Sequence, residues 1–526
     1  MHLSLTTSMK RVAKAGIRRA QRTLYRPKGN PVQRTVGWFH ANRIPGGGIR
    51  PFPGEPRATQ EVTGYSIPTL YALGEKTMAR ELAIWEASVQ RPDGSVCALN
   101  NVPYTFDTAQ AVRGFLAVVD DLPELEENLR RACDYVDRMI APNGKVLHES
   151  YDTWMLKNGG MLSEYGNLYV LPPMLQAGKK FGEQRYIDAA RRAMEYFRAK
   201  PDLMEFKPDM SMISHYLGYM CEALVDLDEP ELAAEGLRQA EAVQRDDGAI
   251  PAYPGVEWVC STGMAQLAIA WYKIGDPGPA DRAMTYLETL QNPSGGFYGS
   301  YGPGAMYFAR MEIAWAAKFF LDAYQLRVQA DFNRERGLYS DTIAEDDGRV
   351  GTLVDFLGNI SGRRVLDVGC GTGRYLRVLN KRWPTAELHG VDISEEMLRS
   401  CPAEAEVHCA SLLDLPYPNN SFDCVFCIET LEHGLLVENG LREMLRVLKG
   451  GGKLIIVDKN VALKNSSQAK PWEQWFRTQE LPSMLVRLGM TAACGPVSYG
   501  GERRASGLFI ACRGTNNAYC SHPVVF

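Results

Sequence analysis

The chain has 526 residues, of which 45% are apolar and 23% are charged, and its formal net charge is −4. This length exceeds what one hydrophobic core supports, so we expect two or more domains of ordinary soluble type. The charge gives no reason to expect nucleic-acid binding, and no apolar run reaches the roughly 18 to 20 residues that a membrane span needs. The twelve cysteines lack a regular spacing, which favours a reducing cytoplasm.

Residues 1–35 form a basic arm. Eight lysines and arginines and no acid fall within the first 30 residues, and apolar residues recur among them at helical spacing. The pattern is compatible with a solvated flexible arm and with an amphipathic helix on anionic lipid, which would place the protein at the cytoplasmic face of a membrane. Because no apolar stretch of signal-peptide length follows the charges, we do not expect secretion.

Residues 50–330 contain a repeat of about 50 residues. Its markers are four turns in which a glycine follows Asp, Asn or Ser, namely those at Gly94, Gly144, Gly248 and Gly295. Pairs of helical patterns lie between the turns, and one helix of each pair starts near Tyr65, Asp107, Tyr165, His215, Ser261 and Met306. A single pair cannot bury its apolar face, whereas six pairs are enough to close into a ring.

These turns resemble those of α/α toroids, the architecture shared by terpenoid cyclases, protein prenyltransferase β subunits and several glycan lyases, hydrolases and epimerases. The resemblance implies an all-α (α/α)6 toroid whose inner helices begin around one mouth. The residues expected there are aromatic or hydrogen-bonding, namely Asp107, Gln110, Trp154, Glu164, Tyr165, His215, Tyr216, Tyr301 and Arg310. Such a lining suits a glycan. The toroid is thus a candidate for glycan binding or modification.

Other interpretations of this region remain open. The run Asp226-Leu227-Asp228-Glu229 is a partial match to the acid motif of class II terpene cyclases, and His215 and Cys260 are two residues of the type that bind zinc. An apolar barrel interior would instead favour an isoprenoid. The polar side chains at the helix starts also have a purely structural interpretation as helix caps. In that case the toroid serves only for binding or oligomerisation.

After a connector at residues 331–348, residues 349–515 alternate between strand and helix patterns. Seven strands are predicted, at residues 364–368, 387–392, 406–409, 422–428, 453–457, 491–497 and 507–512. This alternation predicts a parallel α/β sheet that binds its ligand at the carboxyl ends of the strands. Residues 516–526 are left as a tail.

The first of these strands runs into Gly369-Cys370-Gly371-Thr372-Gly373, with Asp367 before the glycines and Asp392 nineteen residues after them. The spacing differs from the Gly-x-Gly-x-x-Gly of dinucleotide-binding turns. With Asp392 and the segment 415–423, it closely resembles the type-11 family of class I methyltransferases, which implies a Rossmann-like sheet that binds S-adenosyl-L-methionine. The cofactor contacts expected from this resemblance are Asp367, Gly369, Cys370, Gly371, Gly373, Asp392, Ile393, Ser411, Leu412 and Ile428. Ser411 stands where many relatives have an acid near the adenine.

The catalytic candidates are Glu429, Glu432 and His433, which follow the fourth strand. Methyl transfer to a hydroxyl requires removal of a proton, and histidine has a suitable pKa for a general base. The three residues also resemble the Glu-x-x-Glu-His metal motif of small-RNA 2′-O-methyltransferases. Since the only later histidine is His522, in the tail, no metal is predicted.

The sequence therefore predicts a methyltransferase that methylates a hydroxyl of a glycan or glycolipid bound with help from the toroid. A toroid with carbohydrate chemistry of its own would make the protein bifunctional. The alternative acceptor is an isoprenoid or quinone-type small molecule.

Overall fold

The computed structural model describes residues 30–148, 164–200, 202–461 and 470–499, and the backbone of residues 507–513. The basic arm before residue 30, Trp154 and the tail lie outside the described residues. Among the described helices, none is long and apolar enough to cross a membrane.

The described part of the first two thirds of the chain is helical. Between residues 30 and 334 the described segments contain twelve helices: α1 (Pro31–Asn42), α2 (Gln60–Ala72), α3 (Lys76–Val89), α4 (Thr105–Val118), α5 (Glu126–Arg138), α6 (Leu171–Phe181), α7 (Gln184–Arg198), α8 (Ser214–Asp226), α9 (Pro230–Ala242), α10 (Ser261–Lys273), α11 (Pro277–Glu288) and α12 (Ala314–Arg334). A 3-10 segment, Glu164–Val170, leads into α6, and two short strands, β1 (Val259–Cys260) and β2 (Ser300–Tyr301), pair with each other.

Burial divides these helices into two sets. In α8 and α10, almost every residue is buried, so these helices are enclosed on all sides. In α5, the buried residues Leu129, Ala132, Cys133 and Val136 form one stripe at helical spacing, so its opposite face is solvated. The enclosed helices pack in succession, α2 on α4, α4 on α6, the 3-10 segment on α8, α8 on α10, α10 on α12 and α12 on α2. The succession of inner helices thus returns to its starting point.

The four turn glycines explain the repeat. All have positive φ, between 86° and 94°. A Cβ atom on any of them would lie 2.0–2.2 Å from a backbone carbonyl oxygen of another helix, that of Arg131 for Gly94, Arg192 for Gly144, Arg282 for Gly248 and Arg34 for Gly295. Each turn therefore sits directly on the backbone of the next outer helix, where only glycine fits.

The sixth pair differs from the prediction. Its inner helix begins at Ala314 and not near Met306, because Phe308 and Arg310 have positive φ values of 46° and 62° that interrupt helical hydrogen bonding. Its outer partner does not follow it but is α1, at the other end of the region, where Thr35 Oγ1 donates to the carbonyl of Gly295 at 3.1 Å. In addition, α12 continues to Arg334, past the predicted boundary at residue 330.

The axis between the inner helices is filled by aromatic side chains. The ring centroids of Tyr169 and Tyr219 are 4.5 Å apart, and those of Phe106 and Tyr219 are 5.4 Å apart. Phe319 lies 5.7 Å from Tyr219 and 6.1 Å from Tyr65. The centre of the helical region is therefore a packed aromatic layer.

The last third is an α/β unit. Its strands are β3 (Arg364–Val368), β4 (Glu387–Asp392), β5 (Glu406–Cys409), β6 (Phe422–Ile428), β7 (Leu448–Lys459), β8 (Thr491–Val497) and β9 (Gly507–Arg513). Helices α13 (Gly348–Leu357), α14 (Arg374–Arg382), α15 (Glu395–Leu398), α16 (Val437–Val447) and α17 (Glu480–Arg487) accompany them. The sheet order is β5-β4-β3-β6-β7-β9-β8. The first five strands in this order are parallel, which confirms the prediction for that part of the sheet. Strand β9 is antiparallel to both of its neighbours, which the prediction of a parallel sheet did not include.

The helical region packs against the α/β unit. Gln329 Nε2 of α12 donates to the carbonyl of Ile393 at 3.0 Å, and Ser394 Oγ donates to Asn333 Oδ1 at 2.7 Å. On α3, Lys76 lies 2.7 Å from Asp414 and 3.1 Å from Glu443. The first two contacts bring α12 to the carboxyl end of β4, and those of Lys76 join α3 to the α/β unit.

Candidate cofactor and methyl-transfer site

The glycine loop after β3 is fixed to the end of β4. The backbone amides of Gly369 and Cys370 both donate to the carbonyl of Val391, at 2.7 and 3.0 Å. Gly369 has φ 76°, and a Cβ there would lie 2.1 Å from the side chain of Thr430. Gly371 also has positive φ, 53°, but a Cβ there would meet nothing within 4 Å. The first glycine is thus required by packing, and the second opens onto free space.

Two carboxylates flank this loop, Asp392 partly buried and Asp367 fully buried. Asp392 accepts hydrogen bonds from the amides of Gly371 and Ser394, both at 2.9 Å, which orients its carboxylate at the end of β4. Burial raises the pKa of Asp392, and these amides partly oppose that rise. Asp367 is 1% exposed, its Oδ2 has no hydrogen-bond partner among the described residues, and burial raises its pKa well above the usual range. A buried acceptor without a partner is costly unless a ligand or water donates to it.

A cavity of about 300 Å³ lies over the loop. Its wall contains ten of the thirteen residues predicted for this site, namely Gly369, Cys370, Gly371, Asp392, Ile393, Leu412, Ile428, Glu429, Glu432 and His433. The other three lie outside the wall. Asp367 is buried in β3, Gly373 begins α14 with its Cβ position 2.6 Å from Pro402, and Ser411 Oγ accepts from the amide of Leu413 at 3.1 Å.

Glu429 is held by two arginines. Its carboxylate lies 2.5 Å from Arg349 and 2.8 Å from Arg374, and Arg349 also pairs with Asp347 at 2.8 Å. Glu429 has an unusual positive φ of 54°. Both arginines line the cavity together with Glu429. Glu429 therefore positions the two guanidinium groups, and its carboxylate is not a free proton acceptor.

His433 belongs to a second charged group. Its Nε2 lies 3.2 Å from Glu432 Oε1, which also lies 2.7 Å from Lys459 Nζ. Burial raises the pKa of Glu432, but the contacts with His433 and Lys459 outweigh it, so the pKa lies below its usual range. Nδ1 of His433 is buried and has no hydrogen-bond partner among the described residues. This ring is therefore held at one nitrogen and has an unpaired, buried nitrogen at the other side.

One wall of the cavity comes from the helical region. Val328 and Phe332 of α12 line it, and the Phe332 ring meets His433 edge-on with centroids 5.0 Å apart. Tyr339 and Ser340 complete this side. The sequence analysis did not predict two residues of this wall, Arg374 and Phe332.

Arg374 directly follows the glycine run, so its position in the sequence could have indicated a role in the site. Phe332 has no sequence feature that indicates such a role, because it belongs to a helix of another region.

The predicted mouth residues separate into two groups. Asp107, His215 and Tyr216 are buried at the starts of α4 and α8, where His215 Nδ1 lies 2.5 Å from Gln266 Oε1 and burial lowers the pKa of His215 to about 4. Burial, followed by the nearby carboxylate of Glu61, raises the pKa of Asp107 well above its usual range.

The remaining mouth residues are engaged elsewhere. Gln110 is fully buried on α4 and donates to the carbonyl of Phe106, and Glu164 pairs with Lys200 at 2.8 Å. The hydroxyl of Tyr165 donates to Asp202, whereas that of Tyr301 accepts from the amide of Tyr298 at 2.7 Å. Arg310 is exposed. The structure thus gathers only part of the predicted mouth.

Residues 366–456 match the family model described as a methyltransferase domain. An uncharacterized protein of Methanocaldococcus jannaschii is 42% identical over 96 residues, 18% of this chain and 40% of that protein. A demethylmenaquinone methyltransferase of Deinococcus radiodurans is 38% identical over 105 residues, 19% of this chain and 44% of that protein. The chain thus spans less than half the length of these two relatives.

Among solved structures, a SAM dependent methyltransferase from Aquifex aeolicus is 21% identical and aligns with 36% of this chain and 97% of that chain, at a TM-score of 0.28. The family match runs from β3 through most of β7 and includes the glycine loop and His433, which line the cavity. The C-terminal part of this chain carries a class I methyltransferase domain whose cofactor is S-adenosyl-L-methionine.

Proposed function

We propose that the protein transfers a methyl group from S-adenosylmethionine to a hydroxyl of a small acceptor that enters between α12 and the carboxyl edge of the sheet. The observation that carries this proposal is the single cavity joining the glycine loop, Asp392 and His433. Its volume of about 300 Å³ is at the lower end of the usual range for small-molecule sites.

The residues present fit the cofactor. Asp367 Oδ2 lacks a donor, the space at Gly371 has no side chain to fill it, and Asp392 presents an oriented carboxylate at the end of β4. We assign the methionine part of the cofactor to the glycine loop and its ribose hydroxyls to Asp392. The bound cofactor supplies an electrophilic methyl group on a sulfonium.

His433 is the proposed general base. With Nε2–H donating to Glu432, Nδ1 is left as an acceptor for the proton of the acceptor hydroxyl. Glu432 then stabilises the imidazolium that forms, and Lys459 keeps Glu432 ionised before the proton arrives. Phe332 fixes the ring by its edge contact. Glu429 and Glu432 therefore act by holding charge and not by taking the proton.

Transfer of labelled methyl from S-adenosylmethionine to fractionated cell extract tests this function. In the fraction that takes the label, His433→Ala should lower kcat by about 10²–10⁴-fold, the usual contribution of a general base. Affinity for S-adenosylhomocysteine should stay within about twofold, because the cofactor contacts remain. His408→Ala is the matched control, because His408 is a half-exposed histidine on β5 that pairs with Glu406 and does not line the cavity. Full turnover by His433→Ala would exclude the base assignment, and label appearing only in protein or RNA would exclude a small acceptor.

We further propose that residues 50–330, completed by α1, form an (α/α)6 toroid and that the acceptor is a glycan or glycolipid. The return of the inner-helix contacts to α2 supports the ring. Aromatic side chains occupy the axis where an isoprenoid chain would otherwise lie, which favours a glycan held at the surface. Under this proposal the connector is residues 331–348 and the methyltransferase domain residues 349–515.

A quinone-type acceptor is the second candidate. It is favoured by the name of the Deinococcus radiodurans relative and by the apolar side chains of Val328, Phe332, Ile393 and Leu412 in the cavity wall. Parallel assays with labelled S-adenosylmethionine, one with soluble oligosaccharides and glycolipids and one with demethylmenaquinone, separate the two. Label in only one of these acceptors selects the corresponding function.

A further inference from the structure

His433 lies on a short turn, Leu431–His433, that follows β6. The backbone carbonyls on either side of it, those of Glu432 and Gly434, both accept hydrogen bonds from Gln474. The amide of Gln474 donates to the Glu432 carbonyl at 2.7 Å, and the side-chain Nε2 donates to the Gly434 carbonyl at 2.6 Å. Gln474 therefore holds the backbone of His433 from both sides.

Gln474 belongs to residues 470–476, here termed the strap, and one end of the strap is attached to the helical region. Lys470 Nζ lies 2.5 Å from Asp331 of α12. Trp472 is 3% exposed and packs with the apolar core of the helical region. This end of the strap therefore follows the position of α12.

The other end of the strap is attached to the α/β unit. The amide of Phe476 donates to the carbonyl of Lys459, the last residue of β7, at 3.0 Å. Phe476 is 2% exposed and packs with the apolar core of that unit. Between the two ends, Glu473 is 4% exposed and its Oε1 lies 3.2 Å from Lys459 Nζ. Because both ends are buried and paired, Gln474 has little freedom to move relative to the cofactor cavity.

The position of His433 decides whether its ring can take a proton from a bound acceptor. The ring itself is oriented by Glu432 at Nε2 and by the edge contact with Phe332. The turn that carries the ring is held from β7, where Asp458 Oδ2 accepts from the amide of Glu432 at 3.0 Å, and from the strap. A misplacement of about 1 Å in such a group can cost about a hundredfold in rate. The hydrogen bonds that fix the turn are thus part of what makes the ring effective.

We propose that Gln474 is a positioning residue for methyl transfer, and that the strap makes the position of His433 depend on α12. Gln474 does not line the cofactor cavity, so it acts through the turn and not on the substrate. The proposal rests on the assignment of His433 as the general base, and it adds the residue that holds this base in place.

Gln474→Met tests the role of the side-chain amide, because methionine keeps the length of the side chain and removes its donor. We expect kcat to fall about three- to tenfold, since the turn loses one hydrogen bond. The acceptor KM and the Kd for S-adenosylhomocysteine should stay within about twofold, because neither binding site is altered. Gln479→Met, at an exposed glutamine that follows the strap, is the matched control and should leave kcat unchanged.

A double variant separates positioning from a direct effect. The base is absent in His433→Ala, so adding Gln474→Met should lower kcat no further.

Nuclear magnetic resonance of ring-labelled histidine gives a readout that needs no acceptor. The protein has eight histidines, and the signal lost in His433→Ala belongs to His433. Gln474→Met should shift that signal, and so should Lys470→Met, which releases the strap from Asp331. Gln479→Met should leave the signal in place.

Affinity for S-adenosylhomocysteine reports whether each variant is folded, and Gln474→Ala replaces Gln474→Met if the latter fails this check. The proposal is overturned if Gln474→Met keeps wild-type kcat, if it lowers kcat equally with and without His433, or if the His433 signal does not move. A signal that moves in Gln474→Met but not in Lys470→Met overturns the dependence on α12. Full turnover by His433→Ala removes the base assignment and the positioning role together. Lost turnover in His433→Ala with full turnover in Gln474→Met removes the positioning role alone.

Discussion

The two glycines of the cofactor loop give the sharpest test of the site, because they share a backbone conformation and differ in surroundings. Gly369 and Gly371 both have positive φ, so alanine at either position costs about 1–2 kcal/mol of backbone strain. At Gly369, the new methyl would also lie 2.1 Å from Thr430, an overlap that adds about 1–3 kcal/mol. At Gly371, the methyl meets no atom within 4 Å and enters the wall of the cavity.

We therefore predict opposite phenotypes. Gly369→Ala should lower local stability by about 2–5 kcal/mol, the sum of the strain and overlap costs. Gly371→Ala should lower it by only about 1–2 kcal/mol but should weaken S-adenosylhomocysteine binding at least tenfold, because its methyl takes the space assigned to the cofactor. Hydrogen exchange of β3 and β4 gives the local stability of each variant, and calorimetric titration gives the affinity.

A second-site variant tests whether Thr430 causes the overlap. Thr430→Ala removes the two nearest atoms and should restore part of the stability of Gly369→Ala while leaving Gly371→Ala unaffected. The reasoning is refuted if Gly369→Ala is no less stable than Gly371→Ala, or if Gly371→Ala binds S-adenosylhomocysteine as wild type does.

Three further predictions concern the cavity and its interface. Asp392→Ala should weaken S-adenosylhomocysteine binding by roughly 10- to 100-fold in a calorimetric titration, since hydrogen bonds to a charged group are lost; unchanged affinity would remove the ribose assignment. Phe332→Ala should raise the acceptor KM by about tenfold, and Phe332→Leu, which keeps an apolar wall, should raise it less. If Phe332→Ala raised the cofactor Kd as much as the acceptor KM, a specific role in the acceptor site would be contradicted. Burial raises the pKa of Glu443, but its contacts with Arg446 and Lys76 outweigh burial and hold the pKa below its usual value. The stabilisation that ionised Glu443 gives the folded protein is thus complete above about pH 5 and is lost as pH falls through the folded pKa. Thermal scans from pH 7 to pH 4 should show a smaller drop in Tm for Glu443→Gln than for wild type. An equal drop would refute this contribution of Glu443.

The sequence predicts best where local pattern and tertiary structure agree. The strand at residues 364–368 has the predicted bounds, because an apolar β-branched run followed by glycines has few other stable arrangements. The strand at residues 387–392 also has the predicted bounds. In both strands the buried positions are continuous, as expected for strands covered on both faces of a parallel sheet.

Prediction failed where distant segments meet. The sixth inner helix was expected near Met306, but Phe308 and Arg310 take left-handed conformations that their residue types do not signal. The pairing of α1 with the turn at Gly295 joins segments about 260 residues apart, and no local pattern carries that information. The same limit applies to the site, where Asp392 and His433 were found from nearby motifs while Arg349 and Phe332 were missed.

Helix α12 explains why the missed residues matter for function. Lys318 and Asp322, in its second and third turns, line a cavity of about 350 Å³ among the inner helices, and Val328 and Phe332, near its end, line the cofactor cavity. At about 1.5 Å per residue, Lys318 and Phe332 are about 21 Å apart along one rigid element. Its position is set at one end by packing among the inner helices and at the other by Gln329, Asn333 and the ion pair of Asp331 with Lys470 at 2.5 Å. A displacement of about 1 Å in a residue that positions a reacting group can cost about a hundredfold in rate. Substitutions that shift the packing of α12 should therefore change methyl transfer even when they lie far from the cofactor.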